Sequence, residues 1–257
     1  MSNDTEPTAV STDNVSYQIS NTVRYVWITG ITVSAACLIL QWLLFILKPK
    51  IRKIDQKILA QMAVARFIYT LVEYLMSDLQ FTPLSRHFLF ALYVQVDAVL
   101  ICWMSIFTKN LYDKLVQVFM VQKWNLVLLS SMIWILTIPL GVLCPVLLTY
   151  FSEAFDYYYK IYAIIKFIVL FVNILSFCNI FYVIWNRNKK TIRNMADIIK
   201  TCIISFLLVC ITSVQLLLTD LSSFFSDDST LTNTFCLINS FQVIAITVIF
   251  LILVKNV

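Results

Sequence analysis

Charge is scarce in this chain. Of its 257 residues only 13% are Asp, Glu, Lys or Arg, 60% are hydrophobic, and mean hydropathy is +0.85. Soluble domains carry about 25% charged residues. Too few polar side chains remain here to cover a water-facing surface, so a soluble fold is excluded, and so is intrinsic disorder. Glycine is nearly missing, with Gly30 and Gly141 the only two. GxxxG helix packing therefore lacks its residues, and glycine-broken half-helices, the mark of many transporters, are disfavoured. A single histidine, His87, leaves no His pair for zinc. No P-loop is possible without its glycines, and no GxSxG elbow occurs. The seven cysteines form no CxxC pair, which removes the usual zinc and redox motifs. Six of them, all but Cys236, lie in apolar runs and are expected to be buried free thiols. No enzyme, cofactor or metal is expected. The net charge of +5 is too modest to indicate a nucleic-acid partner.

Long apolar runs are what the chain has instead. A helical membrane span needs about 20 apolar residues, and seven such runs lie at about 26–48, 58–77, 87–108, 124–151, 160–186, 198–219 and 235–254. The expectation is an all-α integral membrane protein, a seven-transmembrane-helix bundle over residues 26–254. Residues 1–25 form a polar arm without the apolar core of a signal peptide, and 255–257 a short end. Trp27, Trp42, Trp124 and Trp185 fall near span ends, and Tyr157–Tyr159 at another, where amphipathic rings anchor the interface.

The placement of charge orients the chain. Fourteen basic residues cluster in Lys48–Lys57, Lys109–Lys123 and Arg187–Lys200 and at Lys255, whereas only Arg24, Arg86 and Lys160 lie on the other side. Basic loops stay in the cytoplasm, so the N-terminus is expected outside and the C-terminus inside. Nine acids, among them Asp78, Glu153 and Asp156, share the outer side. Asn3 and Asn14 begin Asn-x-Ser/Thr glycosylation patterns in the outer arm. Cys236, near an outer end, has no outer partner.

Four ionisable residues interrupt the spans. Each costs about 2.5–3.5 kcal/mol at a helix centre, so each should face the interior or find a partner. Arg66 and Glu73 are two turns apart on one face, about 10 Å along the axis. They are too far apart to pair directly, and both are expected to face inward. Asp97, near mid-depth, reads either as a structural acid paired with a neighbouring helix through Arg66, or as a pocket carboxylate. Lys166, six residues into its run, is expected to snorkel outward. Asp97 and Glu73 are the only acids within the runs and match only roughly in depth, which makes a poor aspartyl dyad.

The stretch Ile58-Leu59-Ala60-Gln61-Met62-Ala63-Val64-Ala65-Arg66 resembles the second-helix signature of the taste receptor type 2 family, the bitter receptors, Asp-x-Ile-Leu-x-x-Leu-Ala-x-Ser-Arg. Ile58, Leu59, Ala63 and Arg66 match; Met62 and Ala65 are close replacements, and the family's Asp falls on Gln56. Met104-Ser105-Ile106-Phe107 resembles the family's Leu-Ser-x-Phe-Tyr, with Thr108 for Tyr. Lys200-Thr201 followed by Ser205-Phe206-Leu207-Leu208 resembles its sixth-helix run with one extra residue. The seventh helix departs: Thr247 and Val248 replace His-Ser, and no proline occurs there.

This resemblance, over about residues 27–254, implies a G-protein-coupled chemoreceptor at the plasma membrane, taking a small-molecule agonist from the outer face. Phe90, Tyr93, Val94 and Asp97 would line its pocket, with Glu73 and Gln242 adding polar contacts. Phe90, Val94 and Asp97 share one helical stripe. Arg66, Ser105 and Lys200 stand at the motif positions implied to hold or switch the bundle. Arg52, Lys53, Lys109, Lys114, Arg187, Lys189 and Lys190 would face a heterotrimeric G protein, gustducin-like by resemblance. The competing expectations are a transport or channel subunit and an accessory membrane protein without a ligand.

Overall fold

Lipid offers no hydrogen bonds to a bare backbone, so an apolar chain crossing it must satisfy its amides internally, as a helix does. The computed structural model describes residues 21–48, 53–78, 82–115, 125–187, 203–214, 216–217 and 229–255. Among these, seven helices account for nearly every residue: α1 (Asn21–Leu47), α2 (Ile54–Asp78), α3 (Pro83–Leu115), α4 (Leu126–Tyr150), α5 (Ser152–Arg187), α6 (Ile203–Val214) and α7 (Ser229–Lys255). The first five are long and apolar enough to cross a membrane, while α6 and the apolar part of α7 are shorter. Their outer faces are apolar: Ile39, Leu43 and Ile46 on α1, Ile135 and Leu136 on α4, and Ile164, Ile165 and Ile168 on α5 are exposed. Faces of this extent suit lipid rather than water.

Contacts between helices give their order. α1 packs on α2 and α7, α2 on α3 and α7, α3 on α4 and α5, and α4 on α5. Phe206 of α6 packs against Phe177 and Phe181 of α5, with ring centroids 5.7 and 5.3 Å apart. In the most apolar stretch of α2 and of α3, 56% of residues are buried, against 17% for α1 and α4 and 22% for α5. The centre is therefore α2 and α3. The apolar core around them includes Leu59, Met62, Trp103, Met104 and Phe107, joined by Phe177 of α5 and Phe250 of α7.

Paired contacts also fix direction. Ser34 donates to Ser240 O at 2.8 Å and Gln41 to Thr247 Oγ1 at 2.8 Å, so α1 and α7 run in parallel. Asp97 meets Lys166, and Ser105 meets Asn173 at 3.1 Å, so α3 and α5 run in parallel. Asn110, near the end of α3, donates to Asp55, at the start of α2, which makes that pair antiparallel. Both glycines sit where a neighbouring helix comes close. A Cβ on Gly30 would lie 2.4 Å from Ser240 Oγ, and one on Gly141 would lie 2.5 Å from Ala91 O. Two isolated glycines thus perform at α1–α7 and α3–α4 the close approach that a GxxxG pair provides elsewhere.

Asn125 caps α4 by accepting from the Leu128 N–H at 3.4 Å. At the other end the Phe151 N–H bonds to Leu147 O at 2.8 Å, and α5 begins at the next residue. The expected outer loop over 152–159 is instead the first two turns of α5. Tyr157–Tyr159 belong to this helix, where Tyr158 donates to Leu140 O at 3.2 Å. The expected start of the second helix also moves, from 58 to Ile54, which brings Asp55, Gln56 and Lys57 into it.

Candidate functional site

Polar side chains gather in the bundle interior as two clusters joined by a tyrosine pair. The first links α2 to α7. Arg66 is fully buried and donates through Nη2 to Asn239 Oδ1. The Asn239 amide donates in turn to both Glu73 carboxylate oxygens, at 3.1 and 2.9 Å. Asn239 accepts with its oxygen and donates with its nitrogen, so one neutral side chain bridges a cation and an anion two turns apart. Thr70 Oγ1 donates to Arg66 O at 3.1 Å and to Asn239 O at 3.5 Å, which ties the two backbones together. The guanidinium also stands over the Tyr69 ring, 4.8 Å from its centroid.

The second cluster links α3 to α5. Asp97 Oδ2 accepts from Lys166 Nζ at 2.9 Å and from the Tyr162 hydroxyl at 2.8 Å. Both members of the ion pair are buried. Tyr93, one turn before Asp97, shares a hydrogen bond with Tyr69, and their rings lie 4.7 Å apart. Arg66 over the Tyr69 ring and Tyr93 one turn before Asp97 thus connect the two clusters through the tyrosine pair. Together the clusters contain two cations and two anions. This balance offsets the desolvation that isolated charges would suffer in a dry interior.

Several expectations are corrected here. Lys166 does not snorkel: its ammonium points inward to Asp97. Helix α5 begins at Ser152, so Lys166 lies fourteen residues, about 21 Å, from the helix start. That is too far for a lysine stem to reach the end. The direct partner of Asp97 is accordingly Lys166 rather than Arg66. Trp27 is not an interfacial anchor but is buried, with its ring edge-on to Tyr74 at 5.4 Å. Trp42 and Trp185 are exposed, while Trp124 lies outside the described residues. Of the cysteines expected to be buried, Cys144 is, Cys37, Cys102 and Cys210 are half-buried, and Cys178 is exposed on α5. Cys202 lies outside the described residues.

The inward-facing expectations for Arg66 and Glu73 agree with the structure, although Asn239 went unnoticed as their bridge. Val94 and Gln242 are buried, and Phe90 and Tyr93 are half-buried. Tyr93, Asp97 and Glu73 are thus brought into one network, with Gln242 one turn beyond Asn239 on α7. Ser105 accepts from Asn173 at 3.1 Å and donates to Ile101 O at 3.0 Å, joining α3 to α5. Lys53 and Lys109 are exposed at the basic end, and Lys114 and Arg187 close α3 and α5 there. Asn3, Asn14, Arg52, Lys189, Lys190 and Lys200 lie outside the described residues. Two cavities open toward the basic end, a larger one between α1, α2 and α4 and a smaller one between α3 and α5. Neither is lined by Phe90, Tyr93, Val94, Asp97, Glu73 or Gln242.

An all-helical, multi-span membrane protein with a charge-balanced polar interior is the class these features define. No protein-family model matches the chain, and no curated protein does either.

Proposed function

We propose that this chain is a G-protein-coupled chemosensory receptor of the bitter-taste type, a seven-span bundle of the plasma membrane with its N-terminus outside and its C-terminus inside. The observation that carries the reading is the position of Arg66. It ends the second-helix motif that resembles the bitter receptors, and it is buried where it binds α7 through Asn239. A motif residue that joins α2 to α7 in this way is suited to couple the two helices. The parallel course of α1 and α7 supports an odd number of crossings.

A small organic agonist enters between the acid-rich helix ends and reaches Phe90, Tyr93, Val94 and Asp97, with Glu73 and Gln242 as further polar contacts. It competes with the Lys166 and Tyr162 donors for Asp97, or with Tyr69 for Tyr93. An agonist shifts the resting equilibrium only by its differential affinity for the active arrangement. Exchanging a hydrogen bond between α3 and α5 for one to the ligand supplies such a difference. The basic helix ends, with Lys53, Lys109, Lys114 and Arg187, then meet the G protein.

The test is guanine-nucleotide exchange on a promiscuous G protein, in membranes carrying the receptor, with a panel of bitter compounds. Exchange above that of empty membranes is expected for some compounds, with at least a tenfold loss of potency in Asp97→Asn at equal surface expression. Substrate flux without nucleotide exchange would instead make the chain a transport subunit. Unchanged potency in Asp97→Asn for every agonist would remove Asp97 from the pocket.

A further inference from the structure

The larger cavity, about 460 Å³, lies at the basic end between α1, α2 and α4. Its wall is apolar along Trp42, Phe45 and Ile46 of α1, Ala60 of α2 and Val127 of α4. Its rim is polar. Lys57 is exposed on the first turn of α2, one turn below Ala60 and Gln61. Ser130 donates to Gln61 Oε1 at 3.4 Å, and exposed Ser131 stands beside it. The size falls within the range of about 300–1,000 Å³ typical of small-molecule sites. The cavity opens sideways, since Trp42 and Val127 are 53% and 78% exposed on the lipid-facing surface. A compound reaching it arrives through the bilayer rather than from water.

Charge selects the occupant. The sequence from Lys48 to Lys57 carries Lys48, Lys50, Arg52, Lys53 and Lys57 against the single acid Asp55, whose carboxylate accepts from Asn110 of α3. Lys57 thus presents a cation to a cavity whose body accepts hydrocarbon. Basic pockets between helices on the cytoplasmic side suit anionic lipid headgroups.

We propose that this groove is a binding site for an anionic phospholipid of the leaflet at the basic end. The phosphate lies against Lys57, the headgroup bonds to Ser131 and Gln61, and an acyl chain runs along Trp42, Phe45 and Ile46. The lipid adds to the Ser130–Gln61 hydrogen bond in tying α4 to the α1–α2 pair at this end. The proposal rests on the membrane-spanning reading of these helices but needs neither an agonist nor a G protein. A failed lipid experiment and a failed signalling experiment are thus separate results.

The test uses the full chain in phosphatidylcholine vesicles containing a trace of photoreactive phosphatidylserine or, in parallel, photoreactive phosphatidylcholine, followed by mapping of the labelled peptides. Labelling by the serine lipid is expected to concentrate on residues 42–61 and 126–131 and to fall about fivefold in Lys57→Gln, the weight of one lysine near an anionic surface. Ser131→Trp, an exposed position that fills the groove without touching the core, should abolish it, whereas Lys109→Gln should leave it intact. Equal labelling by both lipids, or labelling indifferent to Lys57→Gln and Ser131→Trp, would overturn the site. Displacement of the serine lipid by cholesterol with no response to Lys57→Gln would assign the groove to a sterol and equally overturn the proposal.

Discussion

Removing the Lys166 ammonium strands a carboxylate in the bundle interior. Asp97 Oδ1 already has no hydrogen-bond partner among the described residues, and Oδ2 depends on Lys166 and Tyr162. Breaking one side of a buried pair costs about 3–5 kcal/mol, whereas replacing both sides with apolar groups is often neutral. Lys166→Met is therefore expected to lower the unfolding midpoint of the purified protein sharply, and Asp97→Leu with Lys166→Met to restore most of it. Urea unfolding in detergent checks both. At this scale the sequence was only partly legible. The four charges in apolar runs stand out because hydropathy plots make them costly. Asn239 does not, because an uncharged amide inside an apolar run carries no such signal. Lys166 was misread for a geometric reason: the depth of a side chain depends on where its helix begins, and the aromatic stretch Tyr157–Tyr159 resembles an interface while continuing the helix.

The helices themselves were far more legible, since length and apolar content fix a span almost independently of its neighbours. Each of the seven expected runs overlaps a helix among the described residues, five of them long and apolar enough to cross a membrane, and polar residues such as Asp55 and Asp113 extend a helix that hydropathy alone would stop. Pairing of helices is not written in hydropathy, because lipid tails are as apolar as leucine and packing detail decides the partners. The two glycines are the exception. Gly141→Ala places a methyl 2.5 Å from a backbone oxygen of α3 that cannot turn aside, so α3 and α4 must separate. Overpacking of this kind costs about 1–3 kcal/mol. The expected result is a lower melting temperature and reduced surface delivery. An unchanged melting temperature would show that the crossing yields without cost.

Across the whole molecule, the distribution of basic residues and the directions of the helices make one joint prediction. Lys57, the ends of α1 and α3 and the start of α4 gather at one end, so that end should face the cytoplasm. Epitope tags at the two termini should accordingly label from opposite sides of intact cells. Staining of both tags only after permeabilisation would reject the orientation and, with it, the receptor proposal. The join between α4 and α5 adds a mechanical constraint. Phe151 is the sole residue between them, and one residue spans at most about 3.6 Å. The end of α4 and the acid-bearing start of α5 are thus leashed together with almost no slack. Whatever rearrangement the bundle makes, α5 can swing relative to α4 only as a door swings on its jamb, with the travel growing toward the opposite, lysine-bearing edge.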